Sequence, residues 1–125
     1  MIKLLLAGLG GFLGSSLRYL LGGWIHRMTN GDLFPYGTLV INSTGCLAIG
    51  FLAGLAETRG MFTGETRVFL LIGVLGGYTT FSTFGYETFQ LLRDGQAAMA
   101  ASNMLLQVIL GITGVWAGSV LSKIL

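Results

Sequence analysis

The sequence predicts an all-α integral membrane protein of four transmembrane helices, the third of them broken near the midplane of the bilayer. Of its 125 residues 53% are hydrophobic and only 10% charged, and the mean hydropathy is positive, too apolar for a soluble domain of this size. The charges punctuate the chain and leave four apolar segments, at about residues 4–25, 37–56, 68–92 and 96–122, each near or above the ~20 residues that cross a ~30 Å hydrocarbon core. Val68 to Tyr86 carries no charge yet makes a poor continuous helix. Four spans and short connectors account for residues 1–125, read as a single domain.

Span one is read over residues 4–25. Lys3 ahead of an apolar run, with Gly14, Ser15 and Ser16 beyond it, resembles a secretion signal. No A-x-A-like cleavage site follows, however, and the apolar pattern resumes past Arg18. From Arg27 to Tyr36 the chain carries Thr29, Asn30, Gly31, Asp32 and the lone Pro35, turn formers that close span one and open span two. Residues 58–66, with two glycines, Arg59 and Glu65, separate spans two and three, and Arg93-Asp94-Gly95 makes a tight connection into span four. Small residues recur at spacing four, at Gly10/Gly14, Cys46/Gly50, Gly50/Gly54 and Gly114/Gly118, a pattern that lets helix backbones approach closely. Cys46 has no second cysteine to pair with and reads as a packing thiol. His26, the lone histidine, has no partners for a zinc site and is assigned to the interface.

Positive charge distributes almost evenly. With alternating spans, Lys3, Arg59, Arg67 and Lys123 share the N-terminal face, while Arg27 and Arg93 lie on the opposite face together with Arg18 if it snorkels there. Such a weak bias suits a chain that inserts in both orientations, as antiparallel homodimers require.

The break is expected in residues 73–84 (GVLGGYTTFSTF), where three glycines and four hydroxyls within five positions oppose regular helix. Irregular backbone at membrane depth is tolerated only where it is buried in protein or lines a watery cavity, so function is sought here first. At ~1.5 Å per residue, Gly76 and Thr79 lie roughly 12 and 17 Å from the N-terminal face, and Phe81 and Phe84 about 6 to 10 Å from the other. Asn42, Asn103 and Arg18 fall in that same layer, about 8 to 10 Å from the opposite face. Phe81 and Phe84 read as packing or as ring edges facing a pathway. Asn42 either bridges helices or lines that pathway, because an unpaired amide in lipid is costly. Arg18 either joins the layer or snorkels. Thr79, Thr80, Ser82 and Thr83 either bond back to their own helix or contribute hydroxyls, and Glu87 reads as an interfacial carboxylate. Amide donors, a guanidinium and positive ring edges together imply a small anion as ligand.

The chain resembles the CrcB/Fluc-type fluoride channels along its full length. The resemblance rests on the four spans, the run Gly76 to Phe84 with Glu87 three residues beyond, Asn42 to Gly45 as Asn-x-x-Gly, and Gly14 to Tyr19 as Gly-x-x-x-Arg-Tyr. It implies an antiparallel homodimer with two pores, each lined by both subunits. On this match Phe81 and Phe84 look like ring-edge ligands of fluoride and Asn42 like a donor to it. The pathway is expected to include Thr83, Arg18, Glu87 and, on span four, Asn103 and Gln107, where some relatives carry Tyr then Ser. The Gly76 and Thr79 carbonyls look like ligands of a structural sodium ion.

The reading is a passive fluoride-selective channel that exports cytoplasmic fluoride across an inner (plasma) membrane. Its expected partners are fluoride, the lipid bilayer and a second copy of itself, with no nucleic acid. The alternative, a small multidrug-resistance type cation exporter, needs a membrane-embedded carboxylate in span one, where the charge is Arg18 instead. No nucleophile–base pair or metal-ligand cluster points to an enzyme.

Overall fold

The computed structural model describes residues 1–124. Its spans are Ile2–Met28, Tyr36–Thr58, Gly64–Arg93 and Ala97–Ile124. Each runs a few residues past the apolar stretch that marks it, because a helix persists into the interfacial layer, where polar ends such as Arg27, Glu57 and Lys123 meet water. Span one stops where Asn30 and Gly31 take positive φ, 51° and 73°. Pro35 flanks the start of span two, where a missing N–H costs little. Gly95, at φ 76°, turns the chain into span four.

Span three consists of four pieces. One α-turn (Gly64–Arg67) leads into a wider π-helical coil (Val68–Leu75) and a short turn (Gly76–Tyr78). Thr79 (φ −81°, ψ 159°) and Thr80 (φ −151°, ψ 116°) are then extended, and the helix restarts as Phe81–Arg93. The span is thus broken, and its interruption falls on two threonines. Gly76 keeps helical angles, φ −64° and ψ −35°. The restart is stabilised locally: the Thr80 hydroxyl accepts the Thr83 N–H at 3.2 Å, an N-cap worth roughly 1 kcal/mol.

The glycines serve packing instead. Span one lies against the entry half of span three, and span two against span four. A Cβ at Gly73 would sit 2.9 Å from the Gly10 Cα, and one at Gly14 would strike the Val74 carbonyl. In the other pair, a Cβ at Gly50 would strike the Val115 carbonyl and one at Gly118 the Leu47 carbonyl. Residues larger than glycine would hold these backbones apart, which is how the spacing-four pattern becomes close helix contact. The exit half of span three packs on spans two and four. Large apolar side chains of span one, such as Leu9, Phe12 and Leu20, point outward, as a lipid-facing surface should.

Candidate anion pathway at the helix break

An extended residue pair inside a helix frees backbone groups, and here side chains from other spans take them up. In a continuous helix the Thr80 N–H would bond the Gly76 carbonyl. It donates to Asn42 Oδ1 at 2.8 Å instead. The Thr83 N–H, which would reach the Thr79 carbonyl, goes to the Thr80 hydroxyl. Among the described residues no backbone amide reaches the Gly76 or Thr79 carbonyl. Arg18 donates from Nη1 to the Thr79 carbonyl at 3.2 Å, so this guanidinium is held at the break.

Asn42 acts on the break as a peptide group would. While its Oδ1 accepts the Thr80 N–H, its Nδ2 donates to the Thr80 carbonyl at 3.1 Å and to Gln107 Oε1, also at 3.1 Å. The Thr80 N–H requires an acceptor and so fixes which way the Asn42 amide points. Gln107 must then present its oxygen to Asn42, and its Nε2 is buried without a partner.

Two cavities meet at Thr80. An open cleft of about 1090 Å³ runs from the loops around Asp32 and Asp94 down to Arg18, Thr38, Thr83 and Glu87. A smaller groove of about 360 Å³ is lined by Asn42, Gly76, Thr79, Phe81, Phe84 and Gln107. Phe81 and Phe84 stand with ring centroids 5.6 Å apart and planes tilted by 57°, so ring edges rather than parallel faces meet there. The exit helix begins beside them, and the Phe81 and Ser82 amides have no acceptor among the described residues. Free amides at a helix N-terminus carry its partial positive charge.

Of the residues singled out from sequence, the structure brings Asn42, Phe81, Phe84 and Gln107 to one groove, with Gly76 and Thr79 on its wall, and sets Arg18, Thr83 and Glu87 in the adjoining cleft. Asn103 lies elsewhere: fully buried, it donates from Nδ2 to the Thr88 hydroxyl at 2.9 Å and ties span four to the exit helix. Thr38 went unnoticed in the sequence. It donates to Glu87 Oε1 at 2.8 Å, and its place four residues before Asn42, hence on the same helix face, was the available signal. Tyr78, also unassigned, is buried with its hydroxyl 2.8 Å from that of Thr44.

Four apolar spans, one of them broken where a groove meets a cleft that reaches the connecting loops, define a multi-pass membrane protein of the channel or transporter kind. Residues 5–119 match the family described as CrcB-like protein, Camphor Resistance (CrcB), and the chain belongs to that family. It is 43% identical over 118 residues to the "Fluoride-specific ion channel FluC 3" of Methanosarcina barkeri, covering 94% of this chain and 88% of that one. It is 44% identical over 127 residues to the "Fluoride-specific ion channel FluC" of Clostridium novyi, covering 99% and 98%. The protein of the same name from Rhodospirillum rubrum is 47% identical over 113 residues, covering 89% and 87%.

Proposed function

We propose that this chain is a passive fluoride-selective channel of the inner (plasma) membrane. The observation that carries the reading is the groove at the break of span three: tilted Phe81 and Phe84, free helix-start amides and an unpartnered Gln107 Nε2 all present positive potential to a small anion. The relatives' names, fluoride-specific ion channels, identify that anion. Weak acid HF enters cells uncharged and ionises in neutral cytoplasm. An inside-negative potential, worth about 2.3 kcal/mol per charge per 100 mV, drives the trapped anion out through a selective pore. No proton carrier, nucleotide site or catalytic step is needed, and a cation exporter would lack its span-one carboxylate.

Assembly as an antiparallel homodimer with two pores follows from what one protomer leaves open. Phe81 is 83% exposed, and the exposed Gly76 has a carbonyl with no amide partner. Lipid cannot satisfy a free carbonyl at this depth, but a second copy can cover it. The near-even split of positive charges permits opposed insertion. The carbonyls of Gly76 and Thr79 fit a structural sodium ion, since both lack a backbone donor and hard cations take carbonyl oxygens. The Gly76 and Thr79 carbonyls of both copies would be the ion's oxygen ligands, the Thr79 oxygen having a second lone pair beyond the one that accepts from Arg18.

The test is efflux from liposomes reconstituted with the purified protein. Fluoride-loaded vesicles should empty when valinomycin is added, and chloride-loaded ones should stay full. Equal rates for both anions, or no flux of either, would overturn the reading.

A further inference from the structure

We infer that a hydrogen bond from the Tyr78 phenol to Thr44 holds the break of span three extended, which makes Tyr78 a positioning residue for a pathway it does not touch. This rests on the proposed channel function and adds to it. Tyr78 ends the short turn and leads directly into the extended pair Thr79 and Thr80, yet neither Tyr78 nor Thr44 lines the groove or the cleft. The phenol is buried, 2.8 Å from Thr44 Oγ1, and counting hydrogens gives the direction of that bond. Thr44 Oγ1 lies 2.7 Å from the Val40 carbonyl and 3.1 Å from that of Ile41. Carbonyls only accept, so the one Thr44 hydrogen is taken within span two. A phenol that accepted would strand its own hydrogen in the interior. Tyr78 therefore donates and Thr44 accepts.

Span two thus grips three successive residues of span three. Tyr78 bonds Thr44, the Thr79 methyl lies where a Cβ at Gly45 would strike it, and Thr80 exchanges two bonds with Asn42. Span one closes the other side: a Cβ at Gly14 would come within 2.8 Å of the Tyr78 nitrogen, and one at Gly77 within 2.6 Å of the Gly11 carbonyl oxygen. With glycine backbones on one side and Thr44 on the other, the phenol bond sets how far the turn can rotate. Its loss would ease the Thr80 N–H back toward the Gly76 carbonyl, its partner in a continuous helix. The Phe81 and Ser82 amides would then turn with the chain, away from the groove.

Four variants separate positioning from packing. Tyr78→Phe removes the bond and strands nothing, because the Thr44 hydrogen keeps its own acceptor. Thr44→Val strands the phenol, the double variant Tyr78→Phe/Thr44→Val strands nothing, and Thr44→Ser keeps the acceptor. The thermal unfolding midpoint in detergent should therefore fall most in Thr44→Val and recover in the double variant. Fluoride efflux from liposomes, normalised to incorporated protein, should follow a different order. It should drop about fivefold, the factor that one neutral hydrogen bond supplies, in every variant without the bond, the double variant included, and stay at the wild-type rate in Thr44→Ser. Wild-type efflux in Tyr78→Phe, or efflux that recovers with the unfolding midpoint in the double variant, would overturn the inference and leave the channel function standing. Absence of fluoride efflux in the wild type would overturn both.

Discussion

Replacing Asn42 by Asp changes one NH₂ group to an oxygen, and the structure allows the consequences to be followed bond by bond. Oδ1 can still accept the Thr80 N–H, now held at 2.8 Å. The second oxygen would face two acceptors, the Thr80 carbonyl and Gln107 Oε1, each 3.1 Å from the present Nδ2. Gln107 can turn its amide over and donate to the carboxylate, which repairs one contact. The Thr80 carbonyl cannot turn, because its peptide is fixed by the helix restart. One buried acceptor facing an oxygen is therefore left, a loss of about 1–3 kcal/mol. The flip also turns the Gln107 N–H groups away from the groove, and a negative charge now stands beside it. Stability should fall modestly, with a drop of several degrees in the midpoint of thermal unfolding in detergent. Fluoride efflux should fall far more, by over tenfold. A variant with wild-type flux would refute the amide relay from Thr80 through Asn42 to Gln107, whatever its melting behaviour.

Other perturbations probe separate parts. Phe81→Ile and Phe84→Ile keep bulk and apolarity but remove the positive ring edge, so each should cut fluoride efflux steeply while gel filtration still shows the intact assembly. Gly50→Val would drive a side chain into the Val115 carbonyl and pry spans two and four apart; overpacking of this kind costs about 1–3 kcal/mol or more and should appear as loss of monodisperse protein. Thr88→Val removes the acceptor of the fully buried Asn103 amide and should lower the unfolding midpoint without changing anion selectivity, because Asn103 lies away from the groove. Single-cysteine tagging at the C-terminus in a Cys46→Ala background should label from both sides of the membrane in similar amounts, and labelling from one side alone would exclude opposed insertion.

Much of this arrangement can be read from the chain because the bilayer constrains it so strongly. The four spans follow from apolar length, and the glycine contacts between spans one and three and between two and four follow from spacing-four small residues. Depth along the helices placed Asn42, Phe81 and Phe84 in one layer, and they share one groove. Depth counted from the sequence is coarser than one helical turn, and this is where Asn103 differs. It shares a helix face with Gln107 but lies one turn away, where it meets Thr88 on the exit helix and not the groove. The site of the break was legible only to within the run 73–84. Glycine has the weakest helix propensity, yet Gly76 stays helical, because Thr80 has a use for its hydroxyl as a cap and Asn42 has a use for the freed amide. Those partners come from a different span and from the restart itself, and neither is visible in local propensity. Arg18 illustrates the same limit: its depth was evident, but its bond to the Thr79 carbonyl depends on how span one packs on span three.

The central claim, that the groove selects fluoride over other halides, is tested most directly by the reversal potential of the purified protein in a planar bilayer with fluoride on one side and chloride on the other, sodium being equal. A pore that passes fluoride alone should show a potential displaced far toward the fluoride equilibrium value, by about 59 mV for each tenfold of selectivity. A wild-type reversal potential at zero, or one displaced toward chloride, would contradict the account.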